Sequence, residues 1–424
     1  MAAEGSVGVD DYIMMRVRQH GRLDTVTFID EPPAEALFCP IISVDDHALE
    51  PPSLFEGRLP AKLQDRAPKV VQGDDGAPWW EVEGTLLPVL MLNGASGRPM
   101  NEWGMMASGY EEMRRGVWDS KARVADMDMT GVWASLCFGS TIWGFAGTRF
   151  STMSDPEVGL ACLKAYNDWM IDEWCGAAPE RYIPCQLPWL QDAEVAAAEI
   201  YRNAERGFRA VSFSENPEGL GFPNIYQESW DPFFRACEET QTVINLHVGS
   251  SGSTHRPSTS SAEGVATTLF PLNGIAALVD WVFAGIPERY PTITIALSEA
   301  GMSWVPMAYE RLRRAHRQSV AVGKGWPYAT SPEDLARRNF VYTSIEDPSG
   351  FQMLDLIGAD RVMVETDYPH YDSTWPESQK MIREELAGLE PAVIRQVCYE
   401  NASRTYRHPL PPAEMIAASE IGSA

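Results

Sequence analysis

The run Cys39-Pro40-Ile41-Ile42-Ser43-Val44-Asp45-Asp46-His47-Ala48-Leu49-Glu50 passes abruptly from apolar residues into carboxylates and a histidine. An apolar stretch this short reads as a buried β-strand. Side chains alternate along a strand, so Asp45 and His47 leave from one face and Asp46 from the other. Two such groups, two residues apart at a strand end, can reach one metal ion. The same residues also suit a strand running into an Asx-rich turn. Later apolar runs decide between these readings. Residues 243–246 end in His247, residues 293–297 lead through Ser298 to Glu299, and residues 361–364 lead to Asp367. The chain has only 7 histidines, and two of them stand at these strand ends beside carboxylates. That coincidence favours a metal centre.

Such a centre needs an architecture that gathers strand ends. The pattern predicts strands at residues 39–44, 132–138, 182–186, 208–213, 243–246, 293–297, 340–343 and 361–364. Helical segments lie between most of them, several with clear start signals. Asp155-Pro156-Glu157 and Ser331-Pro332-Glu333-Asp334 are two examples. Strand–helix alternation implies a parallel sheet, and eight units imply an α/β fold of the (β/α)8 TIM-barrel type. A doubly wound sheet competes, but it calls for a glycine-rich turn after the first strand, and none follows Val44. In a barrel, chemistry sits at the C-terminal strand ends, where Asp45, His47, His247, Glu299 and Asp367 fall. The barrel is assigned to residues 40–409. Residues 1–39 read as an N-terminal arm and 410–424 as a C-terminal tail. Residues 51–119, rich in Pro, Gly and Trp, read as a loop-and-helix insertion after the first strand.

The totals narrow the class. The 424 residues are 45% hydrophobic, enough for one large domain or two ordinary ones, and carry a net charge of −25. No basic patch stands out, so nucleic acid is not an expected partner. The apolar segment 275–286 contains Asp280 and is too short to span a bilayer, so no membrane is expected either. The start of the chain has no secretory pattern, and the 7 cysteines are scattered without a Cys-x-x-Cys. Both features fit reduced thiols in a cytoplasm. The expected partner is a small-molecule substrate. The arm and insertion are also surfaces on which a homo- or hetero-oligomer can assemble.

Four motifs carry a family resemblance. They are Ser43-Val44-Asp45-Asp46-His47-Ala48-Leu49-Glu50-Pro51, Ile244-Asn245-Leu246-His247, Ser298-Glu299-Ala300-Gly301-Met302-Ser303-Trp304-Val305-Pro306, and residues 365–376, which begin Glu365-Thr366-Asp367-Tyr368-Pro369-His370. Arg123-Val124-Ala125-Asp126-Met127-Asp128 and Gly207-Phe208-Arg209-Ala210-Val211 add to them. Over residues 40–408 the chain resembles the amidohydrolase superfamily. The branch is the amidohydrolase-related one that contains aminocarboxymuconate semialdehyde decarboxylase and γ-resorcylate decarboxylase. The resemblance implies a divalent metal held by Asp45, His47, His247 and Asp367. Two departures stand out. Many members carry His-x-His on the first strand, where this chain has Asp45. Decarboxylases of the branch carry a histidine acid/base on the sixth strand, where this chain has Glu299. An ionised carboxylate acts as a base or a ligand, not as a proton donor, unless burial raises its pKa. Mixed imidazole and carboxylate ligands suit Zn, Mn or Fe. Several clustered carboxylates repel one another, and a second ion with Glu299 as ligand would relieve that.

Other residues carry weaker signals. Glu50 reads as holding the loop before Pro51. His370 can contact substrate or orient Asp367, and equally can be a structural histidine. Glu365 shares the face of Asp367 on a regular strand, with a site role and a buried structural role equally open. His255 lies in a Ser/Gly/Thr-rich loop and reads as solvated. His20, His316 and His408 lack clustered partners. Trp79, Trp80 and Trp103 read as packing.

Three functions fit. The first is a metal-dependent hydrolase or decarboxylase for a small organic acid or amide. The metal would activate water or polarise a carbonyl, Asp367 would relay the proton and Glu299 would be the general base. The second is a dinuclear Fe/Mn oxygen-dependent hydroxylase, that is, a monooxygenase. The third is a metal-binding partner subunit of a hetero-oligomeric enzyme.

Overall fold

A computed structural model describes residues 9–23, 25–258, 260–322 and 325–422. Its strands in chain order are β1 (Ile41–His47), β2 (Lys69–Gln72), β3 (Pro78–Val82), β4 (Thr85–Pro88), β5 (Val132–Phe138), β6 (Tyr182–Ile183), β7 (Cys185–Gln186), β8 (Ala210–Phe213), β9 (Val243–His247), β10 (Ile295–Ser298), β11 (Phe340–Ser344) and β12 (Val362–Val364). All but β2, β3 and β4 pair in parallel, in the order β1-β5-β6 and then β7-β8-β9-β10-β11-β12. β6 and β7 are one barrel strand broken at Pro184, which has no backbone N–H to give.

The ring closes beyond the end of β12. Asp367 N–H donates to the Asp45 carbonyl at 2.9 Å, and His47 N–H donates to the Tyr368 carbonyl at 2.7 Å. The result is the expected (β/α)8 TIM barrel. β1, β8, β9, β10 and β11 are buried at every position, as strands covered by helices on one side and packed inside the barrel on the other must be. Outer helices begin where the caps predict. Asp155 accepts Glu157 N–H before Pro156–Trp169, Asp192 accepts Glu194 N–H before Ala193–Arg206, and Ser331 accepts Asp334 N–H before Pro332–Asn339.

The insertion corrects the sequence reading. Residues 51–119 hold no α-helix among the described residues. They form a three-stranded antiparallel sheet, β2-β3-β4, with short 3-10 turns. Strands of four and five residues joined by turns leave too little periodicity to read. Trp80 from β3 is fully buried and meets Phe55 and Trp143 edge to face, at 5.8 and 5.0 Å between ring centres. The arm supplies the helix Val9–His20, and Ile13 and Val17 on it pack against Ala77, Leu90 and Ala107 of the insertion. The side chain of His20 lies outside the described residues. The tail carries the helix Ala413–Ala418 and returns to the arm, where Glu420 and Ile421 donate to the Leu37 and Phe38 carbonyls. Among the described residues no helix is long and apolar enough to cross a membrane.

Candidate active site

β1 delivers Asp45, Asp46 and His47 to the closing seam of the barrel. Pairing with β5 is interrupted between Ser43 and Asp46, a bulge at the site's edge. Asp46 turns away from the cluster onto hydroxyls and backbone. It accepts from Ser43 Oγ at 3.0 Å, Thr366 Oγ1 at 2.6 Å, Tyr368 N–H at 3.0 Å, and Ser135 Oγ. Its role is to tie β1 to β5 and to the segment after β12. Arg123 buttresses the same seam from behind, donating to the His47 carbonyl at 2.5 Å and to the Gly116 carbonyl at 2.6 Å.

The other five predicted site residues converge with Asp45. His47 Nε2 lies 3.4 Å from Asp45 Oδ1 and 3.0 Å from Asp367 Oδ1. His247, the last residue of β9, places Nε2 3.6 Å from Asp45 Oδ1 and 3.5 Å from Glu299 Oε2. His370 Nδ1 lies 3.1 Å from Asp367 Oδ1, and its ring stacks on His47 at 3.6 Å. Glu299 and Asp367, each just past a strand, have left-handed backbone, with φ of 58° and 49°. His247 Nδ1 faces the Val248 carbonyl at 2.8 Å; a carbonyl only accepts, so Nδ1 carries the proton and Nε2 offers its lone pair to the site.

Sequence reasoning missed two contributors, Asp372 and Phe145, and left Glu365 open. Asp372 forms a donor group with Glu299 and Asp367, and its only signal was membership of the 365–376 motif. Glu365 Oε2 accepts Glu299 N–H at 3.4 Å and so sits beneath that turn. Phe145 stacks on the His247 ring at 4.0 Å, and no pattern in the sequence marks it. Glu50 holds a loop, as its position implied: its Oε1 accepts Ser140 N–H at 2.9 Å. His255 is exposed.

The cluster is rich in carboxylates and buried. Burial first, then repulsion from Glu365, Asp367 and Glu299, pushes the Asp45 carboxyl well above its ordinary range. Burial, then Asp372 and Asp367, does the same to Glu299. Burial, with Asp367 adding, brings Glu365 to about 8 and Asp372 to about 8. Burial pushes His47 and His247 well below the usual imidazole range, with a neighbouring imidazole adding in each case. For His370 burial, the largest single influence, works in the same direction, but Asp367, Asp372 and Asp46 together outweigh it and the imidazole is raised.

The donor atoms fit a divalent cation. Both carboxylate oxygens of Asp45 and of Asp367, His47 Nε2 and His247 Nε2 are buried without a hydrogen-bond partner. Among the described residues no Lys or Arg lies within ion-pair distance of these carboxylates. Leaving such groups unpaired is costly, and a dication between them removes that cost. Three donor groups, each with ligand atoms within 4.8 Å of one another, adjoin: Asp45–His47–His247 and His47–Asp367–His370 share His47, and the latter shares Asp367 with Glu299–Asp367–Asp372.

Comparison with known proteins gives the family and the fold. The family model described as amidohydrolase matches residues 112–408, and the chain belongs to that family. It is accordingly an enzyme of the metal-dependent hydrolase and carbon–carbon lyase superfamily. An amidohydrolase from Mycobacterium avium subsp. paratuberculosis K-10 superposes with a TM-score of 0.68 at 20% identity, over 88% of this chain and 100% of that one. The 5-carboxyvanillate decarboxylase of Sphingomonas paucimobilis does so with a TM-score of 0.59 at 19% identity, over 87% and 99%. The 5-carboxyvanillate decarboxylase of Novosphingobium aromaticivorans DSM 12444, solved with manganese and 4-hydroxy-3-methoxy-5-nitrobenzoic acid, does so with a TM-score of 0.62 at 18% identity, over 89% and 100%.

Proposed function

We propose that the chain is a metal-dependent hydrolase or decarboxylase acting on a small organic acid or amide at the β1, β9 and β12 strand ends. One observation carries this reading: buried Asp45, His47, His247 and Asp367 aim unpartnered donor atoms at one another. These four would hold the ion, and manganese in a solved relative supports Mn among Zn, Mn and Fe. When bound, the ion supplies a water of lowered pKa or a polarised carbonyl.

The remaining steps belong to the chain's own groups. Glu299 Oε2, beside His247, is placed to hold a proton or to take one from the reacting group. Asp367 would pass a proton on, with His370 Nδ1 3.1 Å from its Oδ1. Phe145 and Phe138, 4.0 and 5.0 Å from the His247 ring, keep bulk water off that side. The decarboxylase activities of two solved relatives support the lyase arm.

A second reading has its own observation. Glu299, Asp367 and Asp372 form a further donor group, and a second ion there would suit a dinuclear oxygen-dependent hydroxylase. Metal analysis of the purified protein and of Glu299→Gln separates the two. One equivalent of metal, kept in the variant with turnover lower by about 10²–10⁴-fold, supports Glu299 as acid/base. Two equivalents falling to one supports the dinuclear reading. A wild-type protein that takes up no metal overturns both. Turnover by the chain purified alone disposes of the partner-subunit alternative.

A further inference from the structure

A cleft of about 420 Å³ opens on the site from outside, a volume within the range of small-molecule pockets. His370 lines it, and the same imidazole contacts Asp367 and stacks on His47. One wall comes from the arm and the insertion, the other from the segment after β12. Ser96 N–H joins the two walls by donating to the Pro369 carbonyl at 3.1 Å. A larger cleft of about 960 Å³ lies between the helix Phe270–Phe283 and the loops after β8 and β9. It holds none of the donor residues, and Glu215 at its edge is already bonded to Ser251 and Asn273.

The chemistry of the smaller cleft is selective. Met100, Trp103, Trp375 and Met381 give it apolar surface, and Met100 is 75% exposed. Two cations line it, and each has a carboxylate beside it. Arg98 pairs with buried Glu102 and donates to the Glu112 carbonyl at 2.6 Å. Lys380 Nζ lies 2.9 Å from Glu377. Exposed Glu346 and Glu384 also line it, and no cation among the described residues pairs with either. The net charge of −25 adds to the negative field at this mouth. An anion entering here meets the carboxylates of Glu346, Glu377 and Glu384 against one exposed cation, Lys380, whereas an uncharged apolar molecule meets matching surface.

We infer that this cleft is the substrate entrance and that it admits uncharged, apolar substrates while excluding carboxylates. The inference rests on the metal-dependent reading of the site and narrows its substrate to an uncharged molecule.

Two measurements test the charge filter. The first follows metal loss from the metal-loaded protein to two planar aromatic chelators, uncharged 1,10-phenanthroline and dianionic pyridine-2,6-dicarboxylate. The uncharged chelator is expected to strip metal at least tenfold faster. Glu346→Gln with Glu384→Gln is expected to speed only the dianion, and so is half-molar salt, which shortens the screening length to a few ångströms. The second needs no metal. Met100→Cys places a thiol at an exposed position of the cleft lining, to be modified by uncharged methyl methanethiosulfonate and by its anionic sulfonatoethyl analogue, each rate divided by its rate on free cysteine. The anion is expected to lag at least tenfold, and the two Gln substitutions are expected to close most of that gap. Equal normalised rates, or a faster anion, would overturn the inference even in a protein that holds its metal. A protein without metal that still shows the thiol filter would overturn the catalytic reading and leave the cleft's selectivity standing.

Discussion

Asp367 meets two imidazoles through a single oxygen, His47 at 3.0 Å and His370 at 3.1 Å. Asp367→Asn keeps the side-chain shape and tolerates the left-handed backbone, so the barrel is expected to fold. The amide is uncharged, and bound metal and turnover are expected to fall together, with affinity weaker by at least about tenfold. Metal titration on the folded variant checks this. Glu50 gives a pH prediction away from the metal ligands. Burial raises its carboxyl to about 7, against an ordinary value of 4.5. A carboxyl whose pKa is raised by folding adds stability below the unfolded value and loses it as pH rises through the folded one. Between pH 4.5 and 8 the wild type is expected to lose about 3 kcal/mol relative to Glu50→Gln, an upper figure from the size of that shift. Urea unfolding of both proteins at pH 5 and pH 8 is the measurement. A pH-independent difference between them would remove Glu50 from this role.

The loop after β5 shows how elements far apart in sequence build the site. Trp143 is fully buried, stacks on Phe150 at 5.0 Å and meets Trp80 of the insertion edge to face. Two residues on, Phe145 covers His247. Trp143→Ala is expected to cost about 3–5 kcal/mol, as large-to-small changes in a packed core do. It should also loosen Phe145, so turnover is expected to fall more than metal content. Denaturant unfolding with metal analysis separates the two effects. This loop also marks where the sequence stopped being readable. Asp45, His47, His247, Glu299 and Asp367 could be read because barrel strands are short apolar runs whose polar ends must meet at one rim. Asp372 and Phe145 could not, since each lies on a turn whose path depends on distant packing. The β2-β3-β4 sheet escaped for a local reason. Pro78 opens β3 and Pro88 closes β4, and both strands are too short for alternation to register.

For the whole molecule, the ion is expected to act as part of the fold. Carboxylates that repel one another across the closing seam destabilise the metal-free barrel. Metal at a hundredfold above its dissociation constant adds about 2.7 kcal/mol, so chelation is expected to lower Tm by a few degrees and metal to restore it. A Tm unmoved by chelator would show that the seam does not depend on an ion. The same site holds Glu299 and Asp367, two of the six non-glycine residues with positive φ among the described residues. A left-handed conformation costs an ordinary side chain roughly 1–2 kcal/mol. Selection for stability alone would therefore replace Glu299 with glycine or asparagine, relieving both the backbone and the crowding of charge. That a glutamate stands there means this position trades robustness for chemistry. A Glu299→Gly protein that melts higher while losing its activity would display that trade-off in one molecule.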